Sequence, residues 1–138
     1  MTSPLCLAGA FRDMLTRDPT RATIVTDDSD HGLEGAYRHA VAHIEVHMRA
    51  GRSFHIGITE NPDRREQEQL DLGWDFLEVL VEAPSSRETG ALETRLIARF
   101  RGAPLCQNLG SGHERPSGGR PHYLYVAVRM SGLLRRGC

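Results

Sequence analysis

The sequence predicts a mixed α/β (α+β) fold, in which a small central sheet of mixed or antiparallel strands is flanked by helices. Two observations lead to this class. Stretches with helical apolar periodicity alternate along the chain with short stretches rich in β-branched and aromatic residues, which are typical of strands. The length of 138 residues and the ordinary balance of apolar and charged residues fit one domain, residues 1–138, with its own core.

The first part of the chain reads as an N-terminal extension, residues 1–30. Within it we expect only a short helix over 8–15 and a short strand over 22–26. A clear 3.6-residue period then predicts a helix over 33–50, because its apolar residues fall on one face. Gly51 is expected to end this helix.

The second part of the chain begins with a strand and a capped helix. Asn61 is a suitable N-cap, and Pro62 suits the first helical position, where its missing N–H costs nothing. Periodicity and breaker residues together predict the following elements: a strand over 54–59, a helix over 62–72, a strand over 74–83, the linker "PSSRETG", a helix over 89–101, a glycine-rich loop over 102–121 and a strand over 122–128.

The basic residues are all arginine, 17 in number, and the chain has no lysine. Arginine binds phosphate in a bidentate geometry that lysine cannot form, so the bias suits a phosphate-binding protein; codon bias alone is the alternative explanation. The formal net charge of −1 argues against a protein that coats nucleic acid, because such binding depends on neutralising many phosphates.

The cellular setting follows from what the sequence lacks. No apolar run is long enough to span a membrane, and the N-terminus has no basic leader, so we expect an intracellular protein, cytoplasmic or nuclear, with no membrane partner. The three cysteines are too few and too scattered for a disulfide framework or a zinc knuckle.

One acidic residue occupies a helical position that should be buried. On a wheel that starts at Leu92, Leu96 falls at roughly 40°, Phe100 at roughly 80° and Glu93 at roughly 100°, inside the apolar sector. Burying an unpaired carboxylate is costly. We therefore expect Glu93 to bind a metal ion or an arginine; the alternative is an open cleft in which Glu93 points into water.

Two arginines stand in the first turn of the helix predicted over 62–72. Arg64 and Arg65 oppose the helix dipole, which favours anions at the N-terminal end. A phosphate that binds beside this end would explain their position, since the helix N-terminus also attracts it.

Three features, in order along the chain, resemble a known family. A strand ending in aromatic-Ile-Gly runs into Thr-x-Asn-Pro-x-x-Arg ("HIGITENPDRR"), a later helix carries one inward glutamate ("ETGALETRLIARF"), and "CQN" is followed by glycines. Over residues 54–112 this order and spacing resembles the GIY-YIG nuclease superfamily. The resemblance implies a GIY-YIG-like sheet and hydrolysis of nucleic-acid phosphodiester bonds.

The resemblance also implies a set of catalytic residues. The Tyr-Ile-Gly tripeptide of the family falls on residues 55–57, and its functional positions fall on His55, Arg65, Glu93 and Asn108. Glu93 would hold one divalent cation, Mg²⁺ or Mn²⁺, and Arg65 would stabilise the charge that develops on the phosphate. His55 would activate or orient water, and Asn108 would hold a phosphate or the geometry of the glutamate. The expected partner is DNA, with RNA as the alternative.

Two departures separate this chain from the family pattern. Histidine replaces tyrosine at position 55, which is compatible with base chemistry near neutral pH. The Gly-Ile-Tyr strand that the family carries upstream is not evident. "GAY", ending at Tyr37, echoes it, so Tyr37 is a candidate catalytic residue, although its place on an amphipathic helix favours core packing. The alternative is that the strand over 22–26 takes this role, with a helix inserted after it.

The glycine-rich loop supplies further cations. We expect His113, Arg115 and Arg120 to contact substrate together with Arg64, because a flexible cationic loop can present side chains and backbone N–H groups to a phosphate. A surface loop with no function is the alternative.

A row of histidines forms a second candidate site. His39, His43 and His47 recur every four residues, and two histidines at this spacing can share a zinc or nickel ion. A third ligand would have to come from elsewhere, for example His31 or a cysteine. The alternative is a solvated helix edge.

A divalent-metal-dependent endonuclease acting on DNA is the function that these features favour. Three other classes stay open. The first is a catalytically degenerate module that binds nucleic acid or a protein partner without cutting. The second is an enzyme on the same scaffold that acts on a small anionic substrate, and the third is a metal-buffering protein built on the histidine row.

Overall fold

A computed structural model describes residues 23–27, 29–108 and 121–130. The helix predicted over 8–15 lies outside these ranges. Within them the elements alternate as predicted, and the α/β class is confirmed. The elements are β1 (Ile24–Val25), α1 (Asp30–Arg49), β2 (Ser53–Thr59), α2 (Pro62–Asp71), β3 (Phe76–Ala83), α3 (Ser86–Phe100) and β4 (His122–Arg129).

The first two helices begin at capping side chains. Ser29 accepts a hydrogen bond from the backbone N–H of Gly32 at 3.0 Å, which starts α1. Asn61 accepts one from the N–H of Arg64 at 3.1 Å and Pro62 follows it, as predicted for α2. No helix within the described ranges is long and apolar enough to cross a membrane.

The third helix begins earlier than expected. Ser85 accepts a hydrogen bond from the N–H of Arg87 at 3.2 Å and donates its own hydroxyl proton to Glu88 at 2.7 Å. These two bonds satisfy the helix start, so α3 begins at Ser86. The prediction that "PSSRETG" is a linker is therefore wrong for most of that stretch.

The four strands form one sheet in the order β1-β3-β4-β2. β1 runs parallel to β3, and β4 pairs antiparallel with both β3 and β2. The neighbour of β2 is therefore the last strand of the chain. The strand predicted over 22–26 is present as β1 and is followed by α1, but it lies at the opposite edge of the sheet from β2. Whether it takes the role of the upstream family strand stays a prediction.

Two hydrophobic clusters lie on the two faces of this sheet. The main cluster packs β2 and β4 against α1 and α3, with Ile44, Leu96 and Val126 among its fully buried members. The smaller cluster lies on the other face, towards α2, and contains Trp74, Leu77, Tyr125 and Ala127. Because β4 contributes alternate residues to both clusters, it is buried on both faces.

The outer edge of β2 is covered by the segment 105–108. The N–H of Phe54 donates to the carbonyl of Leu105 at 3.0 Å, and the N–H of Gln107 donates to the carbonyl of Phe54 at 2.8 Å. This pairing leaves little of the β2 edge open to another strand.

Candidate functional site

The feature that organises the candidate site is the pairing of β4 with β2. In this pairing Tyr125 stands directly opposite Gly57, the glycine of His-Ile-Gly. A Cβ atom on residue 57 would lie 2.5 Å from Cζ and 3.0 Å from Cε2 of Tyr125. The phenol ring therefore lies across the strand, in space that only glycine leaves open.

Two donors from α2 hold the hydroxyl of Tyr125. Nη1 of Arg65 donates to it at 2.9 Å, and Nε2 of Gln69 donates at 3.2 Å. Arg65 is also paired with Glu68 through Nε at 2.9 Å, one turn further along the helix. Arg65, in the first turn of α2, therefore bridges a carboxylate on its own helix and a phenol on β4.

The electrostatics of Tyr125 favour its neutral form. Burial raises the pKa of the phenol above its ordinary value, and the negative charge of Glu93 raises it further. The charge of Arg65 and the hydrogen bonds from Arg65 and Gln69 oppose this rise without cancelling it. Tyr125 consequently keeps its proton at neutral pH.

Glu93 is buried on α3, with 6% of its surface exposed, so the burial predicted from the helical wheel is confirmed. Its negative charge raises the pKa of the Tyr125 phenol, and on this ground we group it with the Tyr125–Arg65 pair. Tyr125, Arg65, Gln69, Gly57 and Glu93 are called the Tyr125 site below.

Glu93 is the carboxylate of this site that could hold a metal ion. Among the described residues, no group of three or more His, Cys, Asp or Glu side chains could hold a metal ion. A protein that uses Mg²⁺ on a phosphate needs only one or two carboxylates, because the substrate and water fill the other positions. Glu93 fits this simpler requirement.

His55 lies on the same face of the sheet as the Tyr125 ring. It is two residues before Gly57 on β2, so both project towards α2. Its ring is half-buried, with its centroid 6.0 Å from that of Trp74. The role in water activation that the resemblance implies stays a prediction.

Asn108 binds the backbone of β2 with both ends of its amide. Its Oδ1 accepts from the N–H of Ile56 at 2.8 Å, and its Nδ2 donates to the carbonyl of Ile56 at 2.9 Å. The side chain is buried and continues the edge pairing of the segment 105–108. In this arrangement Asn108 holds the strand that carries His55 and Gly57, while direct contact with a phosphate stays a prediction.

The other predicted site residues are not brought together with Tyr125. Tyr37 packs against the main cluster, under the guanidinium of Arg95 at 3.6 Å from the ring centroid, as expected for core packing. Arg64 is exposed, with Nε 3.8 Å from Glu68. The three loop residues lie outside the described ranges: His113, Arg115 and Arg120.

The histidine row meets a carboxylate from the sheet. Nε2 of His47 lies 2.9 Å from Oε1 of Glu78 on β3, and Nδ1 of His43 lies 3.9 Å from the same oxygen. Nη1 of Arg52 lies 3.1 Å from Nδ1 of His47. A guanidinium can only donate hydrogen bonds, so Nδ1 of His47 accepts one from Arg52. Nε2 of His47 therefore carries the ring proton and donates a hydrogen bond to Glu78. The solvated-edge interpretation is wrong for His47, which is buried.

This cluster predicts a loss of stability in acid. Burial lowers the pKa of His43 below its ordinary 6.5. Burial raises the pKa of Glu78, but the hydrogen bond from His47 and the nearby charges outweigh it, so the net pKa lies below 4.5. Both groups bind protons more weakly in the folded chain than in the unfolded chain. The free energy of unfolding should therefore fall as the pH drops below 6.5, through His43, and further below 4.5, through Glu78.

Urea unfolding at about pH 7.5 and about pH 5.5 measures the first of these steps. We expect His43→Ala to show a smaller loss between the two pH values than the wild type. His31→Ala, an exposed residue on the same helix, is the control and should retain the full loss. An equal loss in His43→Ala and the wild type would contradict the assignment.

Sequence reasoning missed Tyr125 and Gln69 as site residues. The pattern "HYLYVAV" predicts a strand, but nothing in it distinguishes Tyr125 as a residue of a site. Gln69 is buried, with 7% of its surface exposed. Its burial could not be predicted, because a glutamine in a helix of mostly polar residues is expected to face water.

The chain was compared with protein-family models, with curated proteins and with solved structures, and none of them matches it.

Proposed function

We propose that the protein is a divalent-metal-dependent endonuclease that hydrolyses DNA phosphodiester bonds at the Tyr125 site. The observation that carries this proposal is the hydrogen bond from Arg65 on α2 to Tyr125 on β4, beside the His-Ile-Gly strand, and the burial of Glu93 on α3 supports it. A guanidinium can stabilise the charge that develops on a phosphate, and a carboxylate can hold the metal ion that polarises it, so these residues suit phosphodiester hydrolysis.

The position of β4 removes the main objection to this function. The family that the sequence resembles carries a tyrosine on a strand that precedes Tyr-Ile-Gly along the chain. Here a strand from the other end of the chain pairs with β2 and presents Tyr125 opposite Gly57. A tyrosine beside the glycine strand is thus available although the upstream motif is not evident, which supports an active rather than a degenerate site.

Each residue would have a distinct role. Glu93 would hold the cation, whose chemistry when bound is to polarise the scissile phosphate. Arg65 would bind the phosphate through its guanidinium and stabilise the developing charge, with Glu68 fixing its orientation. His55 would accept a proton from the attacking water, and Asn108 would keep its strand in place.

The proposal is tested by nicking of supercoiled plasmid DNA in Mg²⁺ or Mn²⁺, with EDTA added in a parallel reaction. We expect metal-dependent nicking that Glu93→Gln reduces by at least about 100-fold, because the carboxylate is lost while the shape of the side chain is kept. The matched control is Glu34→Gln, a carboxylate on α1 that pairs with Arg95. It should nick at the wild-type rate.

Two outcomes would count against the proposal. Full activity of a folded Glu93→Gln variant would refute the metal role of Glu93. A wild type that binds DNA in a salt-dependent way without nicking it would refute hydrolysis and favour the binding module.

A further inference from the structure

The hydroxyl of Tyr125 has its accepting positions filled. A phenol oxygen carries one proton and can accept two hydrogen bonds. Arg65 and Gln69 supply those two bonds, at 2.9 and 3.2 Å, and the tyrosine is fully buried. Among the described residues the hydroxyl contacts these two donors and no acceptor. None of the described residues accepts its proton.

We propose that Tyr125 donates a hydrogen bond to a phosphate oxygen of the substrate, and that Gln69 is the positioning residue that keeps this proton available. The inference rests on the proposed function, because it names a further catalytic residue of the same site. It assigns Tyr125 the role of a neutral donor and leaves proton abstraction from water to another group.

The environment of the Tyr125 phenol favours its role as a hydrogen-bond donor. Burial raises the pKa of Tyr125, while the charge of Arg65 and the hydrogen bonds from Arg65 and Gln69 lower it, with the net shift upward. The other titratable groups on this side of the sheet include His55 on β2, Tyr123 on β4 and Glu66 on α2, whose carboxylate accepts from the N–H of Leu77. A phenol that stays protonated at neutral pH is a poor base and a good donor to an anion.

The orientation of the Gln69 amide makes the idea testable. With Nε2 towards the phenol, as in this structure, the amide donates and stabilises the phenolate form. With Oε1 towards the phenol, the amide would accept the proton, and none would remain for a substrate. Removing the amide should therefore shift the pKa of the phenol upward in the first arrangement and downward in the second.

The first experiment reads this shift without DNA. 3-Fluorotyrosine is placed at position 125, and its ¹⁹F signal is titrated in the otherwise wild-type protein, in Gln69→Leu and in Gln67→Leu. Gln67 is exposed on the same helix and bonds Asp71, so its variant is the control. We expect a higher pKa in Gln69→Leu and no change in Gln67→Leu. A lower pKa in Gln69→Leu would overturn the proposal.

The second experiment asks whether the proton goes to phosphate. The ¹⁹F titration is repeated in Ca²⁺ with and without a short DNA duplex, so that the effect of the duplex on the pKa is separated from that of the cation. A hydrogen bond from the phenol to a phosphate oxygen stabilises the neutral form, so bound duplex should raise the pKa of residue 125. A pKa that is unchanged or lowered by bound duplex would overturn the donor role, whether or not the protein cuts DNA.

The third experiment tests whether the hydrogen bond donated by Tyr125 contributes to catalysis. Nicking by the labelled protein should decline at alkaline pH with the same apparent pKa as the ¹⁹F titration, and Tyr125→Phe should be about 100-fold slower or worse. A rate that rises as residue 125 loses its proton would overturn the donor role in favour of a base. If the wild type does not nick DNA at all, the nuclease function fails, and the duplex titration still decides the role of Tyr125.

Discussion

Replacing Gly57 by alanine should destabilise the protein by about 2 kcal/mol, within the 1–3 kcal/mol usual for an overpacked core. The added Cβ would overlap the ring of Tyr125, which is fully buried and held at its hydroxyl by Arg65 and Gln69. The ring cannot move aside without breaking those bonds. Urea unfolding measures the change as a lower midpoint with an unchanged slope.

A helical glycine provides the matched control for this substitution. At Gly90, inside α3, a new Cβ meets nothing within 4 Å. Gly90→Ala should therefore raise the free energy of unfolding by about 0.5–1 kcal/mol, because alanine loses less backbone entropy than glycine.

A double-mutant cycle isolates the contact itself. In a Tyr125→Leu background the ring is absent, so Gly57→Ala should cost about 1 kcal/mol less than it does in the wild type. An equal cost in the two backgrounds would mean that the close approach of Tyr125 is not the reason for glycine at position 57.

Replacing Asn108 by alanine should have a comparable or larger effect, about 3 kcal/mol. The substitution leaves the N–H and the carbonyl of Ile56 without the partners that the amide supplies, and each unsatisfied buried group costs about 1–3 kcal/mol. The loss should appear in urea unfolding. It should also appear in hydrogen exchange, as faster exchange of the Ile56 amide than in the wild type.

The neighbouring residue is the control for Asn108. The side chain of Gln107 is exposed, while its backbone N–H donates to Phe54. Gln107→Ala removes only the side chain, so stability should stay within about 0.5 kcal/mol of the wild type. A loss below about 1 kcal/mol in Asn108→Ala would show that water replaces the amide at this edge.

The candidate site illustrates how chain order and spatial order can differ. Arg65 and Tyr125 are 60 positions apart, and Asn108 and Ile56 are 52 apart. Both pairs depend on the two edges of β2, one paired with β4 and the other covered by the segment 105–108. A substitution that disturbs either edge should therefore act on the whole site, including His55.

The sequence by itself determined the local elements and one buried charge. Asn61 and Pro62 define the start of α2 because capping acts between neighbouring residues. The burial of Glu93 follows from the period of α3, which is also a local property.

Only the tertiary structure decided which elements meet. Alternation in "HYLYVAV" indicates a strand, but it does not show which strand will pair with it. The backbone groups that form the hydrogen bonds are the same in every strand. The pairing of β4 with β2 brought Tyr125 to Gly57, and the packing of α2 on that face added Arg65 and Gln69. Likewise, the helical period placed His43 and His47 on one flank, whereas Glu78 reached them through the position of β3.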